Sequence, residues 1–260
     1  MSYFKIPGIS KMVVRVWQRN MDVFMKTFKV NFIPPFFEPL LYLFALGFGL
    51  GIYIEEIEGI SYARFIAPAL ISISIMNSAF FECSFVSYVR MYYQKTFDAM
   101  IATPLSIEEV ITGEILWGAT RSFINATIML VVILFFGLIE LPSSLLIIPF
   151  SFLGGFLFAS IAMCFTAISP NINTLNYPTF LFITPMFLFS GTFFPLSVLP
   201  EPVQYFALAV LPLTHVVNIV RSLTLAVPSG FMLLSFMWIL IVSLVLFVLS
   251  VNLMKKRLIV

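Results

Sequence analysis

MYYQKTFDAMIATPLSIEEVITGE, residues Met91 to Glu114, is the longest polar interruption in an otherwise apolar chain of 260 residues. Long hydrophobic runs flank it on both sides. Tyr92 to Ala102 reads as a short helix stopped at Thr103-Pro104, because the residue before a proline is pushed out of the α region. Ser106 stands three residues ahead of Glu109, the Ser-x-x-Glu pattern of a capping box, so a new helix opens there. A short amphipathic helix between two apolar runs, with an aromatic (Phe97) and an acid (Asp98) at its centre, has the make-up of a docking surface for a soluble partner. An ordinary intracellular loop is the simpler reading of the same residues.

Working outward, composition sets the class. Hydrophobic residues make up 61% of the chain and charged residues 10%, against about 25% charged in a soluble domain. Phenylalanine alone occurs 31 times. Such a chain cannot cover a globular surface with polar groups, and it reads as an all-α polytopic membrane protein. No stretch of about 50 residues has the mixed composition of a soluble domain, so residues 1–260 are expected to form a single transmembrane domain. The net charge of +2 says nothing in favour of nucleic acid, and no such partner is expected. Cys83 and Cys164 both lie in apolar runs and read as reduced packing residues.

Before the first apolar run comes a basic segment, residues 5–29, with no small-residue cleavage site of a secretory signal after it. Ile9, Val13, Val16, Trp17, Phe24 and Phe28 recur at helical spacing, and Lys11, Arg15, Arg19, Asp22, Lys26 and Lys29 take the other face. The pattern predicts an amphipathic helix lying in the membrane interface, its basic face toward anionic headgroups. About 20 residues are needed to cross a bilayer. On that measure the spans are 32–54, 63–89, 110–138, 143–168, 177–194 and 231–254. The first opens with Pro34, Pro35 and Pro39 and is expected to begin bent.

Lys and Arg set the orientation. The N-terminal segment has Lys5, Lys11, Arg15, Arg19, Lys26 and Lys29, the loop after the second span has Arg90 and Lys95, and the last residues include Lys255, Lys256 and Arg257. The opposite side has only Arg64 and Arg221, together with Glu55, Glu56, Glu58, Glu140 and Glu201. Both termini and the 92–105 loop are therefore expected in the cytoplasm of a multi-pass inner (plasma) membrane protein. Residues 169–176, short, neutral and asparagine-rich, fit a tight turn on the same side.

Residues 195–230 are too apolar for a free loop and are broken by Pro195, Pro200, Pro202, Pro212 and Pro228. Each half is too short to span, so two short helices dipping back into the outer leaflet are predicted. Irregular backbone at that depth survives only where protein buries it or a cavity takes it up.

Four polar side chains fall in or near spans. Glu38 sits at the start of the first, where a carboxylate favours a helix N-terminus. Glu82 lies deeper, and a structural hydrogen bond is favoured over a proton relay. Glu114 and Arg121 share one face of the third span, two turns apart. Either they form an ion pair, through an intervening side chain or water, or Glu114 sits at the interface with access to water. His215 is the only histidine and cannot build a metal site with no cysteine or paired carboxylate nearby. Its expected place is a hydrogen bond closing the re-entrant turn. Gly47 and Gly51 form a Gly-x-x-x-Gly step suited to close helix approach. Ser190-Gly191 and Ser229-Gly230 lack the elbow of a serine nucleophile, so no catalytic residue is expected.

Three separated stretches resemble the ABC-2 type membrane permeases, and within them the NodJ-type subunits of nodulation-factor and glycolipid exporters. The first is Glu38-Pro39-Leu40-Leu41-Tyr42-Leu43-Phe44 with Gly47, Gly49 and Gly51. In the second, Thr96-Phe97-Asp98-Ala99-Met100 and Thr103-Pro104-Leu105-Ser106 precede Gly113-Glu114. The third runs from Ile183-Thr184-Pro185-Met186 through Phe189-Ser190-Gly191, Phe194-Pro195, Leu199-Pro200 and Leu211-Pro212-Leu213-Thr214-His215 to Arg221. Many such permeases carry a Glu-Arg-x-x-Gly-Thr-Leu-Glu run before Thr-Pro-Leu. Here it is Tyr93-Gln94-Lys95-Thr96-Phe97-Asp98-Ala99-Met100, with its charge thinned.

The resemblance implies a homodimer bound to two copies of a separate ATP-binding subunit, with ATP and magnesium on that partner and no cofactor on this chain. It makes Tyr93, Gln94, Lys95, Thr96, Phe97, Asp98, Met100, Thr103, Pro104 and Leu105 the coupling-helix contact with the ATPase. Val13, Arg15, Trp17 and Arg19 belong to a connecting helix, and Pro195, Pro200, Pro212, His215 and Arg221 to an outer gate. The implied cargo is amphipathic: a lipid-linked oligosaccharide, a glycolipid or a hydrophobic drug. Independently, the chain has no Gly-x-x-x-x-Gly-Lys-Ser/Thr loop to cradle nucleotide phosphates. The alternative is a stand-alone secondary transporter or multidrug efflux protein driven by an ion gradient, which predicts inverted repeats and proton-coupled carboxylates.

Overall fold

The computed structural model describes residues 6–29, 37, 40–54, 56–57, 59–226 and 230–259. All regular structure among them is helical. Helix α1 is Val13–Lys26 and α2 is Leu40–Ile52. Then come α3, Tyr62–Tyr93, the short α4, Thr96–Ile101, α5, Ile107–Phe135, and α6, Ser143–Ile168. Residues 176–189 form α7 from three consecutive helical pieces. Helix α8 is Glu201–Val210, α9 is Pro212–Thr224 and α10 is Met232–Leu258.

Helices α3, α5, α6 and α10 are each long and apolar enough to cross a bilayer, and α8 with α9, bent by 90°, would make a fifth span if counted as one. Six spans were expected. Described helix in the first is Leu40–Ile52, with Phe37 before it and Tyr53 turning the chain after it; Pro34, Pro35, Glu38 and Pro39 lie outside the described residues. The fifth stops at Phe189 rather than Phe194: Gly191 takes φ +73° and Pro195 follows, so the chain turns there.

Other boundaries shift for local reasons. Helix α3 continues past Val89 to Tyr93 through two π-helical turns, Glu82–Val86 and Val89–Tyr93. The Gln94 N–H donates to the Val89 carbonyl at 2.9 Å, five residues back. Lys95 then adopts the left-handed conformation, φ 54°, which ends α3 and lets α4 start at Thr96, not Tyr92. Helix α10 runs beyond Met254 to Leu258, where Lys255, Lys256 and Arg257 complement the negative helix end.

Helix α6 is central, packed against α3, α5 and α10. Small residues permit the approach. An added Cβ at Gly118 of α5 would lie 2.5 Å from the Cys83 sulfur of α3 and 3.1 Å from Ala159 Cβ of α6. One at Gly155 would lie 2.5 Å from Ser122 Cβ. Hydrogen bonds cross the same seams: Ser122 Oγ donates to the Ile75 carbonyl at 2.7 Å, Asn125 to Ser78 Oγ at 2.6 Å, and Thr166 Oγ1 to the Cys83 carbonyl at 2.9 Å. Apolar burial does not drive helix association inside lipid, so close packing and these bonds carry it. The capping box expected at Ser106 is present: the Glu109 N–H donates to Ser106 Oγ at 3.2 Å, and the Ser106 N–H to Glu109 Oε2 at 2.8 Å. In the turn before α7, Asn171 Oδ1 accepts from the Thr174 N–H at 3.1 Å.

The seam at Gly155 generates a direct test. Gly155→Ala is expected to destabilise the α5–α6 pair by about 1–3 kcal/mol, the usual cost of overpacking. Thermal unfolding of the purified protein in mild detergent would show it, and an unchanged midpoint would mean that the helices separate without penalty.

Candidate functional site

Helix α1 docks on α5 through one face. Val13, Val16, Asn20 and Phe24 are buried at spacings of three and four residues. Ile9 and Phe28, expected on that face, are instead exposed. An added Cβ at Gly113 of α5 would lie 2.5 Å from Val16 Cβ, so glycine at this position is what lets α1 seat. Trp17 Nε1–H donates to Thr120 Oγ1 at 2.9 Å. The apolar face of α1 therefore meets protein, while Lys11, Arg15 and Lys26 stay exposed.

Under α1 lies a group of charges, Glu82, Arg90 and Glu114 buried and Arg121 half-buried beside them. Arg90 joins both acids: Nη1 donates to Glu114 Oε2 at 2.8 Å and Nη2 to Glu82 Oε1 at 2.6 Å. Arg121 Nε is 3.5 Å from Glu82 Oε2, so the direct Glu114–Arg121 pair is not made. The two are linked through Arg90 and Glu82 as intervening side chains. Seven residues apart on a helix is about 10 Å of rise, beyond direct contact. Trp117 Nε1–H donates to Glu82 Oε1 at 2.8 Å, the structural hydrogen bond expected for that acid. Glu114 is fully buried and also accepts from Ser87 Oγ at 2.7 Å and Asn20 Nδ2 at 2.7 Å. That excludes the reading in which it faces water.

Each side chain reaches the group for a backbone reason. The π-helical turn Glu82–Val86 of α3 alters the helical phase between Glu82 and Arg90, and the capping box fixes the start of α5 that carries Glu114. Phe24 closes the α1 side, 4.7 Å from the Arg121 guanidinium and edge-on to Trp117 with ring centroids 5.6 Å apart. Arg19 donates to Asn20 Oδ1 at 2.8 Å, which sets the amide so that its NH2 faces Glu114. Burial and the Arg90 cation lower the Arg19 pKa, and the Glu114 charge opposes them. Two acids and two bases balance in charge, which is what permits them to share a largely buried site. Sequence reading missed Arg90 as the hub, having counted it only toward orientation. Asn20 and Ser87 carried no signal, because single amides and hydroxyls are common in helices.

The adjoining loop places the remaining expected residues. Tyr93, Gln94, Lys95, Asp98, Thr103 and Pro104 are exposed, and Thr96, Met100 and Leu105 half-buried. Phe97, read as the exposed aromatic of a docking surface, is fully buried. In a helix as short as α4 only one face can be satisfied by the core, and Phe97 takes it with Met100, Ile101 and Leu105 around it. Lys255 Nζ of α10 meets Glu108 Oε1 at 2.5 Å, and Ser10 bonds Glu109, so both ends of the described chain converge on the start of α5.

At the far end, the Leu208 carbonyl of α8 accepts from His215 Nε2–H at 2.9 Å. His215 Nδ1 lies 3.1 Å from Ser235 Oγ, and its ring stacks on Trp238 with centroids 4.3 Å apart. The histidine thus closes the bend, as expected. Pro212 opens α9 and is buried, Pro195 is half-buried and Pro200 exposed. Arg221 donates to the Gly191 carbonyl at 2.8 Å and lies 4.1 Å over the Phe65 ring. Pro195 and Arg221 line a cavity of about 420 Å³, as do Ser190, Leu208, Thr214 and Asn218. No group of three metal-ligating side chains occurs among the described residues.

The charge group makes a sharp prediction. Arg90→Met leaves two buried carboxylates without their common partner and is expected to cost about 3–5 kcal/mol. Arg90→Met with Glu114→Gln, which leaves Glu82 paired with Arg121 and the group neutral, should regain most of it, measured as thermal stability in detergent. Equal loss in the single and double variants would show that charge balance is not what holds the site.

Residues 12–225 match the ABC-2 type transporter family. The chain is 34% identical to nodulation protein J of Sinorhizobium fredii over 94% of this chain and 93% of that protein. It is 33% identical to nodulation protein J of Rhizobium meliloti over the same shares. Similarity extends to the inner membrane transport permease YadH of Escherichia coli, 25% identical over 71% of this chain and 72% of that one. Four bilayer-length apolar helices agree with that assignment: the chain belongs to the ABC-2 type transporter family.

Proposed function

We propose that the chain is the membrane-spanning permease subunit of an ATP-driven exporter, working as a homodimer with two separate ATP-binding subunits that carry ATP and magnesium. Its role is conduction and coupling, not chemistry. Family membership over residues 12–225 is the observation that carries the reading. The cargo is amphipathic, a lipid-linked oligosaccharide, a glycolipid or a hydrophobic drug, as the motif resemblance to glycolipid-exporter permeases implies. In the inner membrane both termini and the 92–105 loop face the cytoplasm, following the excess of Lys and Arg on that side. The six-span arrangement adds α2 and α7 to the four long helices, with α8 and α9 folded back as a re-entrant pair at the outer face.

The ATPase docks on the exposed face of the 92–105 loop. Tyr93, Gln94, Lys95, Asp98, Thr103 and Pro104 supply the contact, and the buried Phe97 holds α4 in place beneath them. Lys95 and Asp98 form a solvent-exposed pair 3.6 Å apart, which contributes little to the fold and leaves both groups available to a partner. Phe97→Asp would therefore damage the loop itself, and Asp98→Arg is the cleaner probe.

Purification of the tagged protein from its own membranes in a gentle detergent, with bound chains identified by mass spectrometry, tests the reading. Wild type should carry a stoichiometric P-loop ATPase. Asp98→Arg should lower its recovery by about tenfold, the loss of a single interface anchor, while its own unfolding midpoint holds. A stable preparation with no ATPase, even after cross-linking in the membrane, would sink the proposal.

A further inference from the structure

We infer that Asn20 is a positioning residue and α1 a removable cover: α1 keeps Glu114, the innermost member of the Glu82–Arg90–Glu114–Arg121 group, out of water while seated, and its lifting admits water and releases α3 from α5. The inference deepens the permease reading by giving the coupling motion a point of entry. It is tested without an ATPase, so a missing partner and an unopened charge group are separate results.

The two oxygens of Glu114 are served from different helices. Oε2 is served from α3 alone, by Ser87 and Arg90. Oε1 has Asn20 of α1 as its hydrogen-bond donor among the described residues. Glu114 is fully buried, so Oε1 has no recourse to solvent while α1 is in place. A buried carboxylate oxygen stripped of its donor is costly. Helix α1 therefore cannot leave the site dry. Either it stays, or water takes its place.

The rest of the α1 face serves the same closure. Phe24 lies over the Arg121 guanidinium and against Trp117, which itself holds Glu82. Asn20 and Phe24, one helical turn apart, thus cover both ends of the charge group. Val16 seats at Gly113, next in sequence to Glu114. Water entering there raises the local dielectric and weakens each charge pair several-fold. Those pairs, Arg90 to Glu114 and Arg121 to Glu82, are the ionic links between α3 and α5. Seated and lifted are therefore two discrete arrangements, one dry and clasped, the other wet and loose. Asparagine suits the post because a neutral amide can accept from Arg19 while donating to Glu114; an aspartate would set a like charge against the acid.

Hydrogen–deuterium exchange of the full-length protein in lipid nanodiscs reads the motion directly. In Asn20→Asp, peptides covering residues 13–26, 82–93 and 107–118 should all exchange faster, by about tenfold, the change produced by a 1.4 kcal/mol shift in the opening equilibrium. Gln18→Ala, on the exposed side of α1, should leave them at wild-type rates. If Asn20→Asp is poorly folded, Asn20→Ala, which removes the donor to Glu114 without adding a charge, keeps the question open to refutation and should speed exchange in the same three segments. Trp17→Cys and Thr120→Cys, joined by a short bis-maleimide, tie α1 to α5; Cys164→Ser removes the accessible native thiol, and the buried Cys83 is left in place. With α1 tied down, protection of 82–93 should return in the Asn20→Asp background. Faster exchange confined to 13–26 would overturn the inference, since α1 would then leave without opening the charges. Failure of the tie to restore protection would overturn it too, because the new acid would be acting on the group by charge alone.

Discussion

A carboxylate held away from water has to be satisfied by the protein around it, and Glu114 draws its donors from two other segments. Ser87 and Arg90 come from α3 and Asn20 from α1, while the acid itself rides on α5. None of these helices can shift independently without stripping an oxygen of its partner. The expense of burying Glu82, Arg90 and Glu114 is offset only when every member is in register, so the group specifies one relative placement of α1, α3 and α5 more sharply than apolar packing can. In a membrane, where side-chain burial between helices brings no release of water, that specification falls to polar contacts and to close glycine seams such as Gly118 and Gly155.

The two ends of the bundle are held by different means. At the loop end, charge dominates: Glu108 meets Lys255, and Glu82 and Glu114 meet Arg90. At the other, the bent pair α8–α9 is tied mainly through backbone carbonyls, Leu208 by His215, Gly191 by Arg221 and Leu223 by Ser143. The bend of 90° at Leu211 leaves the Leu208 carbonyl without a helical partner, because Pro212 has no N–H, while Gly191 lies in a turn and Leu223 in the last turn of α9; side chains supply all three.

Much of this was legible from residues alone. The capping box at Ser106 followed from two side chains at a fixed spacing, and the His215 contact from a lone histidine beside a proline break. What was not legible shares a cause. The burial of Phe97 depends on which face of a six-residue helix meets the core, and the sequence of α4 is too short to carry a period. The start of α4 at Thr96 depends on a single left-handed lysine, a residue type with no preference for that conformation. The role of Arg90 depends on π-helical turns, which leave no residue signature. Helix lengths near proline were overestimated for the fifth span because hydropathy continues through Gly191 and Phe194 although the backbone turns.

Those π-helical turns also bear on how the family can vary. Each one accommodates an extra residue in α3 without disturbing the helix on either side. Loss of one residue between Glu82 and Arg90 would remove the first of them and leave the length of the bundle almost unchanged. It would also swing everything downstream by about 100°, carrying Arg90 off both acids and Tyr93 to a new side of the loop. Insertions and deletions in this short interval are thus a rotary adjustment. They alter which side chains face inward and outward near the loop while the core of α3 from Tyr62 to Phe81 keeps its seat.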